Sequence, residues 1–306
     1  MNKRTFGLFA LLLIVLMNSV YSQKFKVGTY NIRYANGGDS SHANGWGQRL
    51  PVIAGLIRFH DFDIFGTQEG FYKQLEEMKA ALRGYTYIGV GRDDGKEKGE
   101  HSAIFYKTDK FEVLDHGDFW LSTITDKPNK GWDAALPRIC SWGKFKEKKT
   151  GFIFFMYNLH MDHIGVEARR ESCKLILKKI QDMKTKIPVI LTGDFNVDQT
   201  NESYTLLDTS GLLRDAYETS QIRYATNGTF NDFKTDTKTT SRIDHIFLTK
   251  NFKVLRYGIL TDTYRAEIPV STDSIQTKNF PKEVSLYHYE ARVPSDHFPV
   301  LIEVEY

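Results

Sequence analysis

The chain has 306 residues, of which 41% are hydrophobic and 26% are charged, and its formal net charge at pH 7 is +3. These values are typical of a soluble globular protein with ample material for a core. The charge is too balanced to support nucleic-acid binding on its own, and it falls further if Lys3 and Arg4 are removed.

The first 22 residues have the pattern of a signal peptide. Lys3 and Arg4 form a basic start, residues 8–17 are apolar, and small or polar residues near Ser22 offer a cleavage site. The apolar run is short for a bilayer-spanning helix, although an uncleaved anchor is the alternative. No cysteine follows it, which argues against a lipid-modified lipoprotein. We predict a secreted or periplasmic protein that has no stable membrane association after cleavage.

The first half of the mature chain combines short strands with two amphipathic helices. Residues 24–30 alternate in polarity as a strand does, and the apolar residues of 48–59 recur at helical spacing. The Gly-, Ser- and Asn-rich segment 35–45 predicts a mobile loop at a rim. We interpret the charged run 91–100 as mainly solvated, with Arg92 as a candidate substrate contact. Further strands are predicted at 63–68, 86–90, 101–106 and 111–121, and a second helix at 71–82.

The second half is richer in strands. A helix with a basic outer face is predicted at 165–186. The run PVILT at 188–192 predicts a strand buried on both faces, and Gly193 is expected to turn the backbone at its end. Strands with few intervening helices favour two stacked sheets with helices outside over a doubly wound parallel sheet. No linker or repeat divides the chain, so we predict one domain over residues 23–306. Other strands are predicted at 139–146, 153–158, 242–249, 252–260 and 298–304.

The two cysteines are Cys140, in a predicted strand, and Cys173, in a predicted helix. An exported chain could pair them, but two cysteines do not make a disulfide-stapled scaffold. We favour the interpretation that both are small buried hydrophobic side chains.

Polar residues that can bind a metal recur where apolar strands end. Each alone is weak evidence, because such residues commonly cap turns. Together they predict one site at the mouth of a sandwich. Their carboxylates suit a hard cation such as Mg²⁺ or Mn²⁺, and histidine beside such a site suits metal-assisted hydrolysis of a phosphate ester. These residues are Asn31, Glu69, His160, Asp194, Asn196, Asp244, Asp296 and His297.

Six segments resemble, in order, the motifs of the endonuclease/exonuclease/phosphatase (DNase I-like) superfamily. The resemblance covers nearly the whole mature chain and is closest to a secreted bacterial branch of metal-dependent hydrolases. It implies an α+β fold, a four-layer αββα sandwich of two stacked mixed β-sheets flanked by helices. The segments are GTYNIRY (28–34), GTQEG (66–70), YNLHMDH (157–163), LTGDFNV (191–197), SRIDHIF (241–247) and PSDHFPV (294–300).

The resemblance implies a metal site for Mg²⁺ or Mn²⁺. Asn31, Glu69 and Asp296 match the metal-site positions, with Glu69 as the principal ligand. These are oxygen donors, which hard divalent cations prefer.

The resemblance also implies five catalytic residues. His160 would neutralise the scissile phosphate, and Asn196 would hold a phosphoryl oxygen or position the nucleophile. Asp194 would orient or deprotonate the attacking water. Asp244 would orient His297, which competes with Asp194 for the role of base; the sequence leaves both assignments open.

Three arginines are candidate substrate contacts, because a guanidinium matches phosphoryl oxygens. These are Arg33, Arg92 and Arg138. We therefore predict a secreted phosphoesterase that hydrolyses a phosphate mono- or diester, with a small molecule favoured over nucleic acid, acting as a monomer. An extracellular nuclease is the alternative enzyme. A catalytically silent module that binds a phosphate or sugar ligand is the alternative from another class.

Overall fold

The computed structural model describes residues 23–275 and 281–306. The predicted signal peptide, residues 1–22, lies outside the described residues. None of the helices in the described ranges combines the length and apolar character that crossing a membrane requires.

The described chain is dominated by strands, and its helices lie mostly between them. The strands are β1 (Lys24–Asn31), β2 (Ile64–Gln68), β3 (Tyr85–Ile88), β4 (Ile104–Lys107), β5 (Phe111–Trp120), β6 (Ile139–Glu147), β7 (Ile153–His160), β8 (Val189–Asp194), β9 (Arg214–Asp215), β10 (Ile222–Tyr224), β11 (Asp244–Leu248), β12 (Lys253–Ile259), β13 (Tyr264–Ile275), β14 (Leu286–Arg292) and β15 (Val300–Glu305). The helices are α1 (Gly37–Ser41), α2 (Trp46–Phe59), α3 (Tyr72–Ala81), α4 (Val166–Asp182), α5 (Glu202–Asp208) and α6 (Ala216–Thr219).

Two mixed sheets stack face to face. The first sheet has the order β10-β12-β15-β1-β2-β4-β3 and the second has the order β5-β6-β7-β8-β11-β9. One apolar cluster fills the space between the sheets, a second lies under α2 and α3, and a third lies under α4 and α5. The α+β four-layer sandwich is therefore confirmed. Representative members are Phe25, Phe154 and Ile190 between the sheets, Ile53 and Leu75 on the first sheet, and Ile176 and Leu207 on the second.

Strand direction brings the predicted site residues to one edge of the sandwich. β1 runs parallel to β2, and β7 runs parallel to β8, so the carboxyl ends of each pair lie at one edge of its sheet. The hydrogen bond between Asn31, which ends β1, and Asp194, which ends β8, joins these two edges. β11 is antiparallel to β8 and begins there, with Asp244 opposite Asp194. His160 is also paired with Asp194, from the other side. Three predicted catalytic residues therefore lie side by side on adjacent strands.

The expected turn at Gly193 is wrong. β8 continues through this glycine to Asp194. A Cβ built on Gly193 would lie 2.4 Å from the carbonyl oxygen of Leu159 in β7. The glycine is required because the two backbones approach closely, and it keeps Asp194 on the rigid strand.

Two further segments differ from the sequence-based prediction. Part of the predicted loop 35–45 forms α1, because the Asn36 side chain accepts a hydrogen bond from Asp39 N (2.8 Å) and caps the turn. The hairpin β13–β14 was not predicted, and it forms a separate two-stranded sheet whose side chains include the exposed Val270 and Tyr287. Its strands carry little apolar alternation because they do not cover a core.

Both cysteines are free and buried, as the favoured interpretation predicted.

Candidate active site

Asn31 joins two buried carboxylates at the ends of the two sheets. Its Nδ2 donates to Glu69 Oε1 (3.0 Å) and to Asp194 Oδ2 (2.9 Å). Its Oδ1 accepts a hydrogen bond from Arg33 N (3.0 Å). Glu69 Oε2 also accepts from Tyr34 N (3.2 Å). The amide therefore fixes the carboxylate of the first sheet against that of the second.

Three residues of this site have left-handed backbone conformations. The φ angles are 67° for Glu69, 51° for Asn196 and 55° for Arg33. Non-glycine residues adopt this region at a cost of about 1–2 kcal/mol, and such residues concentrate at functional sites. At Asn196 the turn is closed by its backbone N–H, which donates to Asp194 Oδ1 (2.9 Å).

His297 and Asp244 form a buried pair that faces Asp194. His297 Nδ1 donates to Asp244 Oδ2 (2.9 Å), so the other ring nitrogen, Nε2, points toward Asp194 Oδ2 (3.8 Å). The ring packs edge-on against Phe230, which is 42% exposed. Asp244 therefore fixes the orientation of the imidazole, which is the arrangement the sequence predicted.

His160 faces Asp194 from the opposite side. Its Nε2 lies 3.5 Å from Asp194 Oδ2 and accepts a hydrogen bond from Asn196 Nδ2 (3.1 Å). Because Nε2 is an acceptor, the proton of the neutral ring lies on Nδ1. That Nδ1 is buried and has no hydrogen-bond partner among the described residues, and the carboxylate of Glu100 is 3.6 Å away.

The two imidazoles have opposite electrostatic environments. Burial lowers the pKa of His160 to about 3, and the nearby Arg138 lowers it further. Burial also opposes charge on His297, but the carboxylates of Asp244 and Asp194 raise its pKa well above the ordinary value. Burial and the neighbouring Asp244 raise the pKa of Asp194. The site thus holds a neutral histidine and a charged one on either side of one carboxylate.

Asp296 is placed beside this cluster and is bound to an arginine. Its Oδ2 lies 3.4 Å from Arg33 Nη1, and its Oδ1 accepts from Ser295 Oγ (3.3 Å). Burial raises the pKa of Asp296 to about 6. Arg33 also pairs with Asp39 (3.0 Å), so this predicted substrate contact is held by two carboxylates.

The other two predicted arginines lie with His160 around a narrow crevice that is too tight to admit a water molecule in this structure. Arg92 Nη1 binds Glu100 Oε2 (2.6 Å), and Arg138 Nε binds Asp162 Oδ2 (3.3 Å). Both guanidinium groups are buried. Arg92 Nε and Arg138 Nη1 nevertheless have no hydrogen-bond partner among the described residues. Guanidinium N–H groups without partners are strong donors to anionic oxygens.

Four residues that contact the site are not among the predicted catalytic, metal-site or substrate-binding residues. Asn158 joins the sheets beneath it, with its Nδ2 donating to Thr67 O and its Oδ1 accepting from Gln68 Nε2 (2.7 Å). Asn158 and Gln68 lie within the motifs YNLHMDH and GTQEG, whose side-chain alternation places them on the inner faces. Glu100 ends the charged run 91–100 that was interpreted as mainly solvated, yet its side chain is only 14% exposed. Asp162, which lies in the motif YNLHMDH just after His160, is buried against Arg138.

The residues present fit a hard divalent cation. One oxygen each from Glu69 and Asp194 and one nitrogen of His297 lie within 4.8 Å of one another, and all three residues are buried. Asp244 Oδ1 is buried nearby without a hydrogen-bond partner in the described part of the chain. Clustered buried carboxylates require a compensating cation. The predicted metal-site residues were Asn31, Glu69 and Asp296, and of these Glu69 belongs to the group of three described above.

Comparisons with known proteins agree with this architecture. A mannosyl-6-phosphatase of Bacteroides thetaiotaomicron has 57% sequence identity and a TM-score of 0.84, covering 92% of this chain and 100% of that one. Another structure from the same organism, an endonuclease/exonuclease/phosphatase family protein, has 56% identity and a TM-score of 0.85. The match covers 93% of this chain and 95% of that protein. An uncharacterized protein of Acanthamoeba polyphaga mimivirus is 30% identical over 162 residues, which are 50% of this chain and 60% of that protein.

The sequence profile of one family covers almost the entire described chain. It matches residues 28–297, a range that contains every predicted catalytic and metal-site residue. The two stacked mixed sheets flanked by helices are those that the resemblance implied. The chain belongs to the Endonuclease/Exonuclease/phosphatase family.

Proposed function

We propose that this protein is an exported, Mg²⁺- or Mn²⁺-dependent phosphatase that removes the phosphate from a phosphorylated hexose. The observation that carries the proposal is the crevice beside His160. Arg92 Nε, Arg138 Nη1 and His160 Nδ1 are buried there without hydrogen-bond partners among the described residues. Unpaired buried N–H groups are costly, so their retention is explained by a ligand that accepts from them.

A phosphate monoester is favoured over a diester by the relative of 57% identity, whose name is that of a sugar-monoester phosphatase. The hexose is suggested by the relative of 57% identity, which is a mannosyl-6-phosphatase and is covered over 100% of its length. Export rests on the signal-peptide pattern of residues 1–22.

The metal would be held by Glu69 and Asp194, with Asn31, Asp296 and His297 adjacent. When bound, it would neutralise phosphoryl charge and lower the pKa of a water.

The chain's own residues would complete the reaction. Asp194 lies between the two imidazoles, where it can take the proton of the attacking water. His297, held by Asp244 through Nδ1, would use Nε2 to stabilise charge on the reacting phosphoryl group. His160 and the two arginines would bind the remaining phosphoryl oxygens.

A substrate panel tests the proposal. Mannose 6-phosphate, p-nitrophenyl phosphate, bis(p-nitrophenyl) phosphate and supercoiled plasmid are each incubated with Mg²⁺ or Mn²⁺ and with EDTA. We expect both monoesters to be hydrolysed at least about tenfold faster than the diester, with activity abolished by EDTA. Plasmid nicking or faster diester cleavage would instead support a nuclease or diesterase. No turnover of any compound would support a binding module.

The substitution Arg138→Met tests whether the crevice binds the phosphate of the substrate. We expect it to raise KM for p-nitrophenyl phosphate by about tenfold or more, because the phosphate loses a charged donor. Arg256→Met is the matched control, since the Arg256 side chain is 72% exposed and lies outside the site. Thermal melting of both variants separates lost binding from lost folding. An unchanged KM in folded Arg138→Met would remove the crevice from the substrate site.

A further inference from the structure

An open pocket of about 640 Å³ lies on the outer face of the second sheet, beside the end of α4. Trp142, Phe155 and Tyr157 form its floor. Trp142 and Tyr157 are directly opposite each other on β6 and β7, on the same face as the residues that pack under α4. The volume is within the range of small-molecule sites. No role in the proposed hydrolysis uses it.

The indole of Trp142 is held in place by its neighbours on the sheet. It packs over Gly117, where a Cβ would lie only 3.0 Å from Trp142 Nε1 and 3.2 Å from Cε2. The ring of Tyr157 supports it at 6.4 Å between centroids with planes 29° apart, and Phe155 supports it at 6.0 Å. Trp142 therefore lies between Gly117 on β5 and Tyr157 on β7, and it lines the pocket.

The rim of the pocket carries both signs of charge. Lys144 and Lys179 line it together with Asp126. Within the described part of the chain, neither ammonium group forms an ion pair. Each instead lies near an aromatic ring, with Lys144 Nζ 6.0 Å from the centroid of Phe155 and Lys179 Nζ 5.0 Å from that of Phe119.

This combination matches a neutral sugar better than other ligands. A pyranose has an apolar C–H face, which suits an aromatic floor, and hydroxyl groups that both donate to carboxylates and accept from ammonium groups. An acyl chain or apolar peptide would bury the charged rim without partners. A polyanion would meet the carboxylates of Asp115, Asp118 and Asp126, which outnumber the two lysines of the pocket.

We propose that this pocket is a second binding site, which holds an unphosphorylated saccharide unit of a glycan. β7 contributes Tyr157 to the pocket and ends at His160 in the active site. Their odd spacing places the two side chains on opposite faces of the sheet, so a ligand in the pocket does not contact the reacting phosphate. The site would retain the protein on a carbohydrate independently of hydrolysis.

Calorimetric titration with neutral trisaccharides of mannose, glucose and galactose tests the proposal. We expect the wild type to bind at least one of them, and Trp142→Ala to weaken that binding at least about tenfold. Lys144→Met, a rim substitution that leaves the floor intact, should also weaken it. Tyr224→Ala is the control, because Tyr224 is 65% exposed and lies outside the pocket. Circular dichroism confirms that each variant is folded.

The outcomes separate this proposal from the proposed hydrolysis. His160→Ala should bind the trisaccharide as the wild type does, whatever the fate of phosphatase activity. No binding by the wild type to any of the three sugars would overturn the second site. If neither Trp142→Ala nor Lys144→Met weakens sugar binding, the sugar binds elsewhere and the proposed second site is also overturned. Binding of AMP but not of the sugars would assign the pocket to a nucleotide instead.

Discussion

Asp194 is the residue on which the other site residues converge. Asn31, His160 and His297 approach its Oδ2 from three different segments of the chain, while Asn196 N–H binds Oδ1. A substitution at any of these positions therefore alters the surroundings of one carboxylate. This convergence explains why the polar residues at separate strand ends belong to one site.

His160→Ala should lower kcat by on the order of a hundredfold or more. The substitution removes the ring that faces both Asp194 and the arginine-lined crevice. Initial rates of p-nitrophenyl phosphate hydrolysis with Mg²⁺ give the measurement. His116→Ala is the matched control, because His116 is exposed and lies outside the site. A folded His160→Ala variant with wild-type rates would show that the site has been assigned to the wrong residues.

Residue identity alone could not show which charged groups are buried. The charged run 91–100 has the composition of a solvated loop, yet Arg92 is 8% exposed because it pairs with Glu100 beside His160. The pair itself is local, but its burial depends on a distant segment, because Glu100 lies 3.6 Å from His160. In contrast, simple strand alternation is enough to place His245 on the face of β11 opposite Asp244, where it packs against Phe195 and Tyr204.

The elements position the site through strand ends and the loops that follow them. The loop after β7 is fixed by Asp162, whose Oδ1 accepts from Gly165 N (2.8 Å) and Ile164 N (3.0 Å). Its Oδ2 accepts from Arg138 Nε (3.3 Å). One carboxylate therefore links the start of α4 to an arginine of the crevice, which is why the segment that follows His160 is ordered.

Asp162→Asn should destabilise the protein by about 2 kcal/mol at pH 7. Although burial opposes ionisation, backbone donors led by Gly165 N–H, together with Arg138, hold the pKa of Asp162 well below its ordinary value. The stabilisation is therefore complete above the unfolded-state pKa, near about 4, and is lost as the pH falls toward the lower folded-state value.

Denaturant unfolding of the wild type and Asp162→Asn at several pH values measures this effect. The difference in unfolding free energy should be constant from pH 7 to about pH 5 and shrink below about pH 4. Asp109→Asn, a substitution at an exposed position, should show little difference at any of these values. If the difference in unfolding free energy stays constant or increases in acid, the Asp162 carboxylate is not the stabilising group.

At the scale of the whole molecule, the sequence was sufficient to predict the two-sheet sandwich. Buried strands such as 153–158 and 188–192 are strongly apolar, so their positions were clear. The hairpin β13–β14 was missed because it covers no core and lacks that pattern. The pocket floored by Trp142 was also beyond prediction, because it depends on which part of a sheet a helix leaves uncovered.

Positive and negative charges nearly balance over the whole chain, but the buried charged residues of the site are mainly acidic. Glu69, Asp194, Asp244 and Asp296 are all buried at one edge of the sandwich, within reach of two histidines and Arg33. An acidic cluster of this kind is stabilised by a bound cation. Metal-dependent hydrolysis of a phosphate monoester at this edge is the central claim.

Phosphate release from mannose 6-phosphate by EDTA-treated protein, as Mg²⁺ is added back, tests that claim most directly. We expect no release without metal, saturable recovery with Mg²⁺ in the wild type, and rates at least about a hundredfold lower in Glu69→Gln at every Mg²⁺ concentration. Release that persists in EDTA, or that is equal in Glu69→Gln and the wild type, would contradict the account.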